Sequence, residues 1–333
     1  MDAQTFTLRW GLGLVAALAA LAAAAPLLAP YDPGEQLDPP TAMLRPPGTA
    51  LAAVRLAGGG WLLADRVERR ADGGLLLHRR GRGDEVLAAG QVSNLTAAGV
   101  ADGRLFLLGS DKFGRDVASR MLYGARVSLA IGVVAVALAA SLGIALGALA
   151  ALGGPVLDML IMRGLDALLA FPWLFLMVAV SALFRPGTTT LVLILGATAW
   201  PYISRLVRAE LLSLQQREFI LAARAMGQRP VVILFRHLLP NALAPVLVQA
   251  VLQVGVLILV ESALSFLGIG IQPPTPSWGN MILEGQDELF QAWWVATFPG
   301  AALALTVIAF NLLGDGLRDL LDPRRAGATL PGS

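Results

Sequence analysis

Six long apolar stretches divide this chain, and one of the polar intervals between them is out of character. The first stretch runs from about Trp10 to Leu28, the second from Val127 to Leu152 and the third from Leu165 to Phe184. The fourth starts near Thr189 and passes Trp200-Pro201 before meeting Arg205 and Arg208. The fifth is about Leu243 to Leu267 and the sixth Trp293 to Leu313. Each supplies about 17–25 residues, the length at which a helix crosses a hydrocarbon core. None shows the alternation of a membrane barrel strand, so the pattern predicts helices. The first stretch ends in Ala-Ala-Ala-Ala-Pro, which also fits the cleavage site of a secretory signal. Its length and the single nearby cation, Arg9, favour an uncleaved span.

The interval out of character is "REFILAARAMGQRPVVILFRHLLPNALAP", Arg217 to Pro245, basic and amphipathic between two spans. Read as one helix, Gln215 to Met226 places Phe219, Ala222, Ala223 and Met226 at i, i+3, i+4 and i+7 on one face. The two alanines let another backbone approach closely. Gly227 suits the left-handed position that ends a helix, and Pro230 the first turn of the next. Pro230 to Leu239 then reads as a second helix, closed by Pro240 before span five. An interfacial amphipathic helix is the competing reading, but such helices bury bulky Trp, Phe and Leu. An Ala-Ala centre buries little area and suits protein docking better.

The interval between spans one and two is roughly 95 residues long, and long loops cross a membrane largely regardless of charge. Pro39-Pro40 and Pro46-Pro47 mark a linker. "DRVERRADGGLLLHRR", Asp65 to Arg80, predicts two strands around an Asp-Gly turn, and Arg104 to Leu108 a further strand. Its basic residues alternate with Asp65, Glu68, Asp72, Asp84 and Glu85, which reads as a solvated hairpin or as a docking face for an external protein. "GSDKFGRD", Gly109 to Asp116, reads equally as a self-paired turn or such a contact. "GIGIQPPTPSWG", Gly268 to Gly279, predicts an ordered loop after span five.

Composition agrees with the pattern. The chain is 56% hydrophobic and only 14% charged, with a mean hydropathy of +0.68; soluble domains carry about 25% charge. The net charge of +2 is too small to argue for nucleic acid. There is no cysteine, hence no disulfide and no thiolate chemistry. Lys112, the sole lysine, follows Asp111 and precedes Phe113, so the Gly-Lys-Ser/Thr of a phosphate loop is absent. Hydrolysis of ATP would have to come from a partner. Arginines in short intervals set the orientation. Arg163, then Arg205 through Arg236, then Arg318, Arg324 and Arg325 share one side if both termini are cytoplasmic. His78 and His237 then lie on opposite sides and form no common metal site.

Charges within the spans are functional candidates. Asp166, three residues after Arg163, reads as half of a structural ion pair. Glu261, toward the outer end of span five, is a candidate for the translocation path, with structural pairing as the alternative.

The central segment resembles a family signature. Ala-Ala, three residues, Gly, nine residues, an apolar position, one residue and Leu-Pro is the pattern of ABC importer permeases. Ala222, Ala223, Gly227, Leu239 and Pro240 fall on it in register. Two positions depart: Leu221 where Glu is frequent, and His237 at the apolar position. "LGSDKFGRDVASRMLYGARVSL", "RGLDALLAFPWLFL", "WPYISRLVRAELLSLQQREFI", "ESALSFLGIGIQPPTPSWGNM" and "FPGAALALTVIAFNLLGDGLRDLLDPR" resemble the dipeptide/oligopeptide/nickel branch, and in it the C-type permease subunit. The likeness covers about Leu108 to Arg324.

The resemblance implies an all-α polytopic membrane protein of the type I permease fold, with six transmembrane helices and a small β-containing extracytoplasmic insert. Its expected divisions are 1–30 (N-terminus and first span), 31–108 (insert), 109–324 (permease core with a coupling segment at 213–240) and 325–333 (tail). It implies a multi-pass bacterial inner membrane protein without catalytic residues or a bound cofactor or metal, ATP and Mg being held by partners. The implied partners are a second permease subunit, two ATPase subunits, an extracytoplasmic binding protein and the bilayer. Arg217, Glu218, Phe219, Ala222, Ala223, Met226, Gly227, Leu239 and Pro240 would carry ATPase coupling. The implied cargo is di- or oligopeptides, with nickel chelates or another small solute as the alternative. A secondary transporter or channel would place more ionisable groups in mid-membrane or show repeated halves.

Overall fold

The computed structural model describes residues 3–93, 103–184 and 187–321. The predicted tail at 325–333 and the arginines at 324 and 325 lie outside them. Helix α1 (Ala3–Ala23) is followed after Ala24 by the short α2 (Ala25–Leu28), and α3 (Pro39–Ala42) precedes the strands of the insert. The long helices are α4 (Val117–Leu152), α7 (Thr188–Leu214), α10 (Leu239–Phe266) and α12 (Trp294–Leu321), and α10 is helical upstream to Pro230. Among the described residues five helices are long and apolar enough to cross a membrane, or six if one bent pair is counted as a single span. All five overlap predicted stretches, though α4 begins ten residues earlier than predicted and α12 continues past Leu313.

The bent pair corrects the expectation of one straight helix over 165–184. Helix α5 (Pro155–Ala170) and α6 (Trp173–Leu183) meet at 94°. Pro172 is the reason: the residue before a proline is pushed out of the helical region, and Phe171 sits at φ −82°, ψ 136°. At 16 and 11 residues, neither arm alone reaches the roughly 20 needed to span.

One compact unit combines the described residues of Ser128–Leu264 with Ala3–Ala19 and Leu303–Leu321. Its close contacts run through glycines. Gly143 and Gly147, a small-x-x-x-small pair on α4, lie against α7. A Cβ at Gly143 would sit 2.7 Å from the Ile203 Cβ, and one at Gly147 2.7 Å from the Ser204 carbonyl oxygen. Small residues let helix backbones approach where no hydrophobic drive separates protein from lipid. Helix α5 is tied to α7 by ions: Arg208 clamps Asp158 at 2.5 and 2.6 Å, and Arg205 meets Asp166 at 2.5 Å.

The second unit, Ala20–Val127 with Ser265–Ala302, contains the insert. Strands β1 (Thr49–Arg55), β2 (Trp61–Ala64), β3 (Arg66–Arg69), β4 (Leu75–Arg79), β5 (Gly83–Leu87) and β6 (Gly103–Phe106) make two antiparallel three-stranded sheets, ordered β2-β1-β6 and β3-β4-β5. The predicted hairpin is β3–β4, in register Arg69↔Leu75, and its turn uses Gly73 at φ +81°. The alternating apolar side chains feed two small cores, one around Leu51, Leu63 and Phe106, the other around Val54, Leu75 and Leu77.

The hairpin is not simply a solvated one. Arg79 is fully buried and bonds Asp38 and Glu85, Arg45 bonds Asp65 at 2.5 Å, and Arg104 bonds Glu35 at 2.8 Å. Gly109–Asp116 is self-paired: Asp111 accepts from the Phe113 and Arg115 backbones and from Arg115 Nε. Arg115 and Arg120 also reach Glu284 of α11 (Trp278–Gly285) at 2.6 and 2.8 Å. The Gly/Pro-rich loop is ordered as expected, but its end is helical. Ser277 caps α11 by accepting from the Asn280 N–H, and Trp278 is buried with its Nε1 donating to the Met121 carbonyl.

Candidate functional site

The segment joining α7 to α10 is built from two short helices and a glycine turn. Helix α7 ends at Leu214, a turn follows, and α8 (Glu218–Ala225) starts from Arg217, whose extended backbone (φ −77°, ψ 145°) marks the helix entry. The single helix expected over Gln215–Met226 is therefore shorter at both ends. Glu218 in its first turn and Arg224 in its last complement the helix dipole.

Gly227 takes the predicted left-handed conformation at φ +75°. The Gln228 N–H donates to the Ala223 carbonyl and the Gly227 N–H to that of Arg224, the paired bonds of a Schellman end. Arg229 then caps α9 (Pro230–Ile233) with Pro230 in its first turn.

The sequence predicts that Pro240 closes this second helix; it does not. A wide π turn at Leu234–Leu238, in which the Leu239 N–H donates to the Leu234 carbonyl, carries the helix on into α10. Widening here relieves the clash between a proline ring and the carbonyl four residues before it. His237, which departs from the family pattern, sits in this turn with Nε2 3.1 Å from Gln228 Oε1. It ties the wide turn back to the glycine turn.

Of the four residues expected on one docking face, Ala223 turns inward with Ile220. The sequence reading had not weighed Ile220, which is fully buried and takes the helix's inner stripe. Phe219, Ala222 and Met226 remain outward at i, i+3 and i+7, with Phe219 46% and Met226 73% exposed. Arg217 and Glu218 are exposed beside them, Leu239 is half-buried and Pro240 exposed. The inner side of the segment borders a cleft of 1150 Å3 shared with the end of α4.

The remaining candidates are placed differently from expectation. Asp166 pairs with Arg205 of α7 and not with Arg163, which is exposed. The rejected pair has its base N-terminal to its acid, the poorer order against the helix dipole, and Arg205 offers a direct approach. Glu261 is fully buried and accepts from Ser128 Oγ of α4 at 2.9 Å and Ser262 Oγ at 3.2 Å. One turn further, Gly132 lies against Ile258, so Glu261 belongs to the α4–α10 contact and not to an open surface.

Comparison with known proteins completes the description. Residues 143–327 match the family described as binding-protein-dependent transport system inner membrane component, more than half of the chain and including the whole segment above. The chain belongs to that family. This inner membrane component is 44% identical over 216 residues to the dipeptide transport system permease protein DppC of Alkalihalophilus pseudofirmus, covering 65% of this chain and 71% of that one. It is 44% identical over 223 residues to the di/tripeptide transport system permease protein DppC of Pseudomonas aeruginosa, covering 67% and 74%. A putative peptide transport system permease protein of Brucella suis is 45% identical over 218 residues, covering 66% and 73%. One chain in an inward-facing structure of the MetNI methionine ABC transporter shares the fold at a TM-score of 0.52 and 22% identity, covering 61% of this chain and 96% of that one. The component is thus a multi-pass membrane protein of the ABC importer permease fold.

Proposed function

We propose that this chain is a permease subunit of an ATP-driven importer of di- or oligopeptides, with both termini and the α7–α10 segment in the cytoplasm. The exposed Phe219–Ala222–Met226 stripe carries this reading. It is an apolar knob, gap and knob held between a helix entry at Arg217 and a fixed glycine end, and it suits a groove on a separate ATPase subunit. The names of the relatives above support peptides as cargo. In this reading a second permease chain completes the path, two ATPase subunits hold ATP and Mg, and an external binding protein delivers the cargo. ATP closure shifts the permease only if the α8 stripe contacts the closed and open ATPase states unequally.

The test is purification of the tagged chain from its own membranes in mild detergent, followed by reconstitution with binding protein and a labelled dipeptide. A second permease-like chain and ATPase subunits should co-purify, and uptake should need ATP. A chain that purifies alone and transports without ATP would overturn the reading.

A further inference from the structure

The proposed path needs a surface that a peptide can touch, and Glu261 does not provide it. A cleft of 430 Å3, within the usual range of small-molecule sites, opens among α6, α7, α10 and α12. Every residue lining it is uncharged, and its polar groups are Thr198, Tyr202, Gln249, Gln253 and Asn311, with Trp173 among the walls.

Gln253 is the informative member. It is only 7% exposed, and its Nε2 donates to the Ala199 carbonyl at 3.0 Å. That bond fixes the amide, because turning it over would set oxygen against oxygen. Its Oε1 is then a buried acceptor with no hydrogen-bond partner among the described residues. A buried acceptor left unsatisfied is costly, and away from water the cost is larger. The atom calls for an N–H donor from outside the chain. A neutral wall favours a neutral donor over an ammonium ion, which would want a carboxylate.

We infer that Gln253 Oε1 accepts a hydrogen bond from a backbone N–H of the peptide in transit, within a cleft whose amide and hydroxyl groups contact main chain and not side-chain charge. This rests on the peptide reading above. It gives a physical reason for a path indifferent to sequence: every peptide offers backbone N–H groups, whatever its side chains. A second cleft of 710 Å3 shares Gln249 and Leu252 with the first and reaches Pro240 and Asn241, so the two adjoin along α10. Charge appears only there, at Glu210 and Arg318.

The experiment uses the complete importer in proteoliposomes, with binding protein saturated in turn by a tripeptide and by its backbone N-methylated analogue. Wild type should import the analogue about tenfold more slowly, the loss expected for one buried hydrogen bond. Gln253→Met, of similar volume and without polar atoms, should slow the parent peptide to the analogue's rate and bring the ratio near one. Its assembly is checked by co-purification with the ATPase subunits, and if it fails to assemble the wild-type ratio alone decides. Equal rates in wild type, or an unchanged ratio in an assembled Gln253→Met importer, would overturn the site while leaving peptide import standing. A wild-type complex that imports no peptide at all would overturn the peptide reading and this site with it.

Discussion

Two groups of arginines in this chain look alike in sequence and differ in fate. In the unit that holds the insert, Arg45, Arg79, Arg104, Arg115 and Arg120 have side chains no more than 6% exposed, each on at least one carboxylate. In the α7–α10 segment, Arg217, Arg224, Arg229 and Arg236 are exposed, and among the described residues none has a carboxylate within ion-pair reach. The first group neutralises its charge within the fold. The second keeps its charge on the surface, where only another molecule can answer it. The acids make the difference: the insert alternates bases with acids, whereas Glu218 is the only acid between Leu211 and Pro245.

Breaking the first group should have the largest effect. Arg79→Ala leaves Asp38 buried without its partner and should cost about 3–5 kcal/mol, read as an earlier thermal or proteolytic opening of the insert. A loss below about 1 kcal/mol would erase the distinction. Between the two groups in size comes Gly227→Val, which forces a β-branched residue to positive φ at a cost of about 1–2 kcal/mol. No atom lies within 4 Å of the added Cβ, so the strain should be confined to the end of α8. Uptake should fall several-fold relative to ATP hydrolysis while the chain still inserts. Normal coupling would remove the segment from the proposed role.

Neutralising Arg217, Arg224, Arg229 and Arg236 together to Gln should leave the melting temperature almost unchanged, since exposed charges contribute about 0.5 kcal/mol or less each. Binding to the ATPase subunits should weaken and lose its salt dependence. A large drop in melting temperature would put these arginines in the same class as Arg79.

The smallest effect is a pH dependence in the insert. Burial works against the Asp65 carboxylate, but hydrogen bonds from the Arg45 side chain and the Arg80 backbone outweigh it and hold the pKa below its usual value. A depressed folded-state pKa means stability that is present above the unfolded value and lost as pH falls through the folded one. The insert should therefore weaken below about pH 4, and Asp65→Asn should flatten that limb of a pH–melting curve. Asp116, whose pKa burial raises against its bonds to Ser119, contributes the opposite slope. A limb unchanged in Asp65→Asn would show that the Arg45 contact is not the source.

The spans, the Asp-Gly hairpin and the Gly227 turn were legible because each rests on local chemistry: apolar length, turn residues, a position that needs positive φ. Phe171-Pro172 was legible in principle, since the restriction on a residue before proline is local, but a long apolar run concealed it. So was the Gly143/Gly147 spacing, a close-packing signal the apolar reading passed over. Other features depend on what stands opposite and could not be read from one strip of chain. Asp166 chose Arg205 across a helix pair over Arg163 on its own helix. Glu261 found Ser128, 133 positions away on a facing helix. Pro240 looked like a stop because sequence does not show that a π turn can absorb it. Gln253, an ordinary amide in an apolar helix, stands out only because Ala199 holds one end and no described residue the other.

The unbroken helix from Pro230 to Phe266 also has a mechanical side. Its 37 residues make a rod roughly 55 Å long at 1.5 Å per residue. With α9 at one end and the Glu261 contact with α4 near the other, it has the form of a lever pivoted at that contact. A turn of about 10° about that contact would carry the α9 end, roughly 47 Å away, through roughly 8 Å if the rod moved as one piece. Motion of that size needs no unfolding of the shaft, only a firm grip on the α9 end.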